Sequence, residues 1–456
     1  MPRFLISLIV RVLIKERLKN GKNSIFYTKS SVKTTVLMLD SSRYRGDIDI
    51  LSKSDNLRVL HLRQGVQNFL VNVFLKSDIE LSDITNIQRS SKIYNQHIKT
   101  LMLFRKVLKK LYSLVSVDCV TTVHFKYLPD YYWTIVSEEL SVSYISLHRE
   151  CNIMSPVTHN LIVRMMEKIG EFHGSHIIVH NEKCRRAFLD ANFVSAEKIT
   201  IGGALRMDEI GGNKLDYVNR FTTDKKKVFT LFYFPLSSST FCSDKYNIEK
   251  YNINNILWER KGKYGCWRFK KDLFVALHTK ILEMAVENPD IDFIIKTKSE
   301  FMTTNSWKFY ERLLSHSNID FKMLSNYRIE DKVDTHSLIS GSNVVCGLQS
   351  SSTAESIFMN KKVVIPLFYG LRNTKHYDLF PWINYEDLYC VIEDVQSFEK
   401  KVLTACENGT LEYKINHNRK KQLFKECFGF DDRKSLSRYE KTIINTVQNR
   451  RNNLER

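Results

Sequence analysis

From residue 34 onward, short apolar runs alternate with longer stretches whose apolar residues recur at helical spacing. A strand, a helix and a second strand in succession need a crossover connection. Repeated units of that kind build a mostly parallel sheet with helices on both faces. The runs at 36–40, 59–62, 119–124, 142–147, 176–180 and 198–201 read as strands. Residues 99–117 read as a helix, with apolar residues at 101, 104, 108, 111, 112 and 115, and shorter helices fit 160–170 and 183–191. A polar passage without periodicity then starts at Gly211-Gly212-Asn213-Lys214 and ends in the charged run 222–227. A second series follows, with strands at 228–234, 291–295, 343–346 and 362–366 and helices at 269–287, 307–315, 353–359, 397–407 and 433–456.

The fold class expected is therefore α/β, with two Rossmann-like domains facing a cleft, an N-terminal amphipathic helix and C-terminal helices. The boundaries read as a basic N-terminal segment 1–33, a first domain 34–212, a linker 213–227, a second domain 228–430 and a basic C-terminal helix 431–456. The 43% hydrophobic share suffices for large cores and excludes wholesale disorder. No segment reaches the roughly 18 apolar residues of a membrane-spanning helix. Nine scattered cysteines without a CxxC pair read as reduced thiols of a cytoplasmic protein, not as a disulfide framework or zinc cluster.

Ligands of open parallel sheets bind beyond the carboxyl ends of the strands, so the segments there are the candidate sites. After the strand 142–147 come His148, Arg149 and Glu150: a carboxylate beside a cation and an imidazole, either a tuned general base or a solvated polar loop. After 198–201 comes Gly202-Gly203-Ala-Leu-Arg206. Its glycines would let a phosphate approach the backbone and Arg206 would pair with it, or they merely form a turn. After 343–346 the run Gly347-Leu-Gln-Ser350-Ser351-Ser352-Thr353-Ala-Glu355 opens a helix, whose free N–H groups and hydroxyls suit a phosphate or diphosphate. Ser352 and Glu355 also fit a capping box, so Glu355 either closes the helix or is left to hold ribose hydroxyls. Lys296 and Lys298, two apart at the end of 291–295, would face an anion together or stay solvated. Asp47-Ile-Asp49 and Asp290-Ile-Asp292 have DxD spacing, but Asp290 and Asp292 precede or begin a strand, the wrong end of a parallel sheet for chemistry; His173, His176 and His180 are clustered, but no carboxylate or thiolate completes a set. HExxH, GxSxG and GxxxxGK[ST] motifs are absent.

In order, these elements over roughly residues 34–430 resemble glycosyltransferases of the two-Rossmann GT-B class. The likeness lies in the segment from His176 to Asp208, with its KI…G…R.D turn, and in VVCGLQSSSTAESIFMNKKVVIP from Val344 to Pro366. Within that class it looks similar to bacterial capsule and lipopolysaccharide biosynthesis proteins, the Kdo and glycerol-phosphate transferases among them. The HP dipeptide usual in the latter is absent after the strand at 291, where Lys296-Thr-Lys298 stands. The resemblance implies a nucleotide-sugar donor on the second domain, a carbohydrate or lipid-linked saccharide acceptor on the first, and no obligatory metal or cofactor. It implies Glu150 as the base, with His148 and Arg149 beside it. Gly203, Arg206, Lys296, Lys298, Ser350–Thr353 and Glu355 would bind the donor. A nucleotide-sugar epimerase or a glycerol-phosphate transferase on the same scaffold is the alternative reading.

The formal charge of +19 raises a third, a basic nucleic-acid binder. Residues 1–33 carry +7 of it, and residues 418–456 carry +6. Basic patches interleaved with aromatics are absent, so nucleic acid is not expected as a partner. Charge gathered at the ends points instead to peripheral attachment on an anionic membrane surface. Ser7, Arg11, Lys15 and Lys19 would form the polar stripe of a helix that lies in the interface or packs on its own domain.

Overall fold

A computed structural model of the chain describes residues 14–25, 33–39, 44, 46–62, 64–76, 79–150, 154–210, 226–233 and 265–298. With short gaps inside 299–318, 374–379 and 410–415, it describes the rest to residue 455. The expected helix before residue 14 and most of the expected linker 213–227 lie outside the described residues. The chain divides into two compact units. The first comprises residues 1–151, 162–209 and 428–456, and the second comprises 152–161 and 210–427.

The first unit is built on an eight-stranded sheet. Its strands are β1 (Ile14–Arg17), β2 (Asn23–Ile25), β3 (Thr34–Leu39), β4 (Leu57–Leu62), β5 (Cys119–Thr122), β6 (Ser143–Leu147), β7 (His176–Val179) and β8 (Ile199–Ile201). They lie in the order β2-β1-β4-β3-β5-β6-β7-β8. From β4 to β8 all pairs are parallel, while β1 pairs antiparallel with β2 and β4. β5 and β6 are buried at every position, which explains why they read as continuous apolar or small-residue runs: both faces of a parallel sheet are covered.

β1 corrects the expectation for Lys15 and Lys19. Lys15 sits opposite Ile25 and His61 in the sheet, and Lys19 lies in the turn beyond it, where it pairs with Asp55. A period-four reading missed that Glu16 and Arg17 are also held by cross-element ion pairs, to Arg58 and Asp49.

The C-terminal helix Ser435–Glu455 is part of the first unit's core. Tyr439, Ile443 and Val447 pack with Val36, Met38, Ile145 and Ile178 of the sheet. At about 1.5–3 kcal/mol for each fully buried side chain, this face holds the helix firmly. Its basic residues are in part committed internally, Arg450 to Glu138 and Arg451 to Asp118.

The second unit carries a six-stranded, fully parallel sheet. It is formed by β9 (Lys227–Phe232), β10 (Ile291–Lys296), β11 (Tyr327–Glu330), β12 (Val344–Cys346), β13 (Lys362–Pro366) and β14 (Cys390–Ile392). The order β11-β10-β9-β12-β13-β14 places the first strand beside the fourth, so the winding reverses between β9 and β12. The two-domain α/β class with parallel sheets expected from the sequence is the one observed. Strands β1, β2, β11 and β14 were not foreseen; each is three or four residues long at or next to a sheet edge, too short to show a period.

Candidate functional site

In the second unit the site is built where the sheet reverses, at the carboxyl ends of β9 and β12. β12 leads through Gly347 and Leu348 to the helix Ser351–Phe358. Ser350 is the helix N-cap: its side chain accepts from the Ser352 N–H at 3.2 Å, and its carbonyl accepts from the Thr353 N–H at 2.9 Å. Trp382 Nε1 donates to the Leu348 carbonyl at 3.0 Å and fixes the loop from below. Ser350, Ser351 and Ser352 are all partly exposed, whereas Thr353 is fully buried. The Thr353 hydroxyl has no hydrogen-bond partner among the described residues. Gly347 passes so close that a Cβ there would lie 2.5 Å from Thr353 Oγ1. That contact, not a special φ angle, explains the glycine.

The expected capping box is corrected. The N-cap is Ser350, two residues before Ser352, and Glu355 is buried with Oε2 3.0 Å from His336 Nε2. His336 stands on the neighbouring helix Thr335–Gly341, so the carboxylate faces across to that helix, not back to its own N-terminus.

The two lysines after β10 do not act as a pair. Lys296 is the last residue of the strand, buried, and its ammonium donates to the carbonyls of Thr297 at 2.8 Å and Asp331 at 3.0 Å. Lys298, beyond the strand, is exposed. A shared facing of the two lysines needs the strand to continue to residue 298, and it ends at Lys296. β9 also separates β10 from the β12 helix.

In the first unit, β6 delivers His148, Arg149 and Glu150 to its carboxyl end. The His148 N–H continues the sheet by donating to the Ile178 carbonyl at 2.8 Å. Its ring is stacked on Phe125 and meets Phe188 edge-on, at centroid distances of 5.2 and 5.0 Å. Burial pushes the imidazole down to about 4, partly offset by the negative charge of Glu150, with Lys126 pushing the same way as burial. The ring is therefore neutral near pH 7. Arg149 is consumed by a buried ion pair, its Nε 3.0 Å from Asp47 Oδ2. Asp47 opens the helix Asp47–Leu51 that follows β3. Glu150 has an exposed side chain, while its carbonyl accepts from Cys184 Sγ at 3.0 Å. Of the three, Glu150 is the exposed residue.

Gly203 and Arg206 belong to the first unit, away from the other expected donor residues in sequence and sheet. Gly203 has φ 81° and its carbonyl accepts from the Tyr439 hydroxyl at 3.0 Å. A Cβ on it would lie 2.9 Å from Ser435 Oγ. Arg206 is buried, with its guanidinium 5.6 Å from the centre of the Phe428 ring. Asp208 accepts from the N–H groups of Ser435 at 3.1 Å and Leu436 at 2.9 Å, capping the C-terminal helix. This turn is thus the seat of that helix, in keeping with the turn reading of its glycines.

Tyr439 and His336 carry no local signal in the sequence. Asp47 carried a signal, its DxD spacing, that pointed to the wrong chemistry: Asp47 and Asp49 pair with Arg149 and Arg17. The other DxD aspartate, Asp292, pairs with Arg328 at 2.9 Å. His176 bonds Thr200 at 2.8 Å, which accounts for one of the clustered histidines.

No family model and no curated protein matches the chain. Several solved structures are similar. UDP-GlcNAc 2-epimerase from Neisseria meningitidis, bound to UDP-GlcNAc, is 12% identical, covering 91% of this chain and 99% of that one, with a TM-score of 0.46. A UDP-forming α,α-trehalose-phosphate synthase from Burkholderia xenovorans is 10% identical with coverages of 91% and 99% and a TM-score of 0.46. The wall teichoic acid polymerase TagF is 12% identical with coverages of 91% and 89% and the same TM-score.

Proposed function

We propose that the chain is a glycosyltransferase that moves a sugar from a nucleotide-activated donor to an acceptor hydroxyl, in the synthesis of a bacterial surface polysaccharide such as capsule or lipopolysaccharide. One observation carries this reading: the Ser350-capped helix starts at the point where the second sheet reverses its winding. Sheets of this order take their ligands there, and a helix N-terminus with neighbouring hydroxyls favours an anionic group such as a diphosphate.

In this mechanism Glu150 takes the proton of the acceptor hydroxyl while the oxygen attacks the anomeric carbon. The bond from that carbon to the donor phosphate breaks, and the pair of electrons leaves with the phosphate. The Ser351 N–H and the hydroxyls of Ser351, Ser352 and Thr353 meet the developing charge. His148, neutral and held between aromatic rings, shapes the wall beside the base. Arg149 acts at a distance from the chemistry, by tying the end of β6 to the helix after β3.

The test is a thermal-shift panel of nucleotide sugars followed by product analysis with and without an acceptor. Stabilisation by a nucleotide sugar and transfer that needs the acceptor support the reading. Conversion of the donor sugar with no acceptor present replaces it with the epimerase alternative.

A further inference from the structure

The first unit exposes an apolar and basic surface that neither candidate site uses. The helix Gln64–Asn72 and the turn after it leave Phe69 68% exposed, with Val73 and Phe74 also open to solvent. This helix packs against the helix Tyr94–Leu114, on which Met102 is 60% exposed. The second helix contains five Lys or Arg residues and no Asp or Glu. Arg105 is taken by Glu139, at 2.7 and 2.8 Å. Lys99, Lys106 and Lys109 are exposed, and their spacing of three, four and seven residues sets them with Met102 on one helix face. Its opposite face, with Leu101, Phe104, Leu108 and Leu111, is buried.

We propose that this surface seats the protein on an anionic lipid bilayer. Large apolar side chains standing out beside cations match the two layers of a membrane interface: the rings and Met102 enter the boundary of the acyl chains, and the ammonium groups stay level with the phosphates. A second copy fits less well, because a two-fold contact would set this acid-free helix face against itself. A nucleic acid would satisfy the lysines and leave the exposed phenylalanines and methionine in water. The surface differs from the chain ends to which the charge totals pointed, and it does not depend on the donor site. Its failure would leave the proposed transferase untouched.

The experiment is co-sedimentation of the full chain with phosphatidylcholine vesicles, with and without phosphatidylglycerol. Binding should require phosphatidylglycerol and weaken as salt rises. The doubles Phe69→Ser/Phe74→Ser and Lys99→Glu/Lys106→Glu should each weaken it about tenfold or more, with melting temperature and circular dichroism unchanged because all four side chains are exposed. Retained binding in both doubles overturns the proposal, as does a loss confined to Arg3→Glu/Arg11→Glu, which would return the attachment to the N-terminus. Equal binding to vesicles without phosphatidylglycerol also overturns it. So does a concentration-dependent dimer abolished by Phe69→Ser/Phe74→Ser, which would make the surface a contact between copies.

Discussion

Arg149 Nε lies 3.0 Å from Asp47 Oδ2, with the two side chains 10% and 5% exposed, and this pair joins the end of β6 to the helix that follows β3. Breaking a buried pair leaves one charge without compensation, at a cost of about 3–5 kcal/mol. Asp47→Asn should therefore lower unfolding stability by roughly that amount in a urea titration, and Arg149→Met should do the same. Asp47→Leu/Arg149→Met should recover most of the loss, since a matched apolar pair avoids the desolvation cost.

Glu150 is exposed at the same strand end, so Glu150→Gln should fold and melt like the parent protein. If Glu150 is the base, transfer should fall by about 10²–10⁴-fold while donor affinity, read by thermal shift, is kept. Full activity in this variant would remove Glu150 from the mechanism.

Gly347→Ala should weaken nucleotide binding and destabilise the second unit by about 1–3 kcal/mol, because its Cβ would lie 2.5 Å from Thr353 Oγ1. Thr353→Ser keeps the hydroxyl and should retain donor affinity better than Thr353→Val, which keeps the volume without it. Isothermal titration with the stabilising nucleotide sugar measures both.

Three of the buried histidines make the fold most sensitive to acid. Burial pushes His148 and His176 down to about 4 and His278 down to about 3, from 6.5. The unfolded chain takes up protons below about pH 6.5 while the native imidazoles stay neutral, so stability present above that pH is lost progressively as pH falls toward 4. For His148 the full loss is on the order of 3 kcal/mol. His148→Phe should flatten this part of the stability–pH curve between pH 7 and 4, measured by denaturant unfolding at each pH.

Asp208 caps the C-terminal helix across more than two hundred residues of chain. Asp208→Ala should cost about 0.5–2 kcal/mol, visible as a lower urea midpoint. Truncation before Tyr439 should cost far more, since it strips Tyr439, Ile443 and Val447 from the sheet.

Much of the fold was legible along the chain because each central strand is covered on both faces. β3, β4, β9, β10 and β13 show as apolar runs, and the helix Tyr94–Leu114 shows its stripe, because burial imposes those patterns directly. β1 stayed hidden because its charged residues Arg17 and Glu16 are matched by partners 32 and 42 positions away, Asp49 and Arg58, which no local window contains, and β2 is only three residues long. The hydroxyl-rich helix start at 350–353 was readable as a local run. The fates of Glu355, Lys296 and Arg206 were not, since His336, Asp331 and Phe428 reach them from other elements.

The sequence by itself determined the class, two α/β units with parallel sheets, because periodic burial is written residue by residue. It also located the segments that leave the strands at their carboxyl ends. The tertiary structure decided what the polar groups of those segments meet. Gly203 and Asp208 turned out to seat the C-terminal helix, and Arg149 to close a buried pair, while Glu150 stayed exposed and Ser350–Ser352 partly exposed ahead of the buried Thr353. The reason is electrostatic and steric: a charge or a glycine has no fixed role until the fold brings a partner within about 3 Å of it.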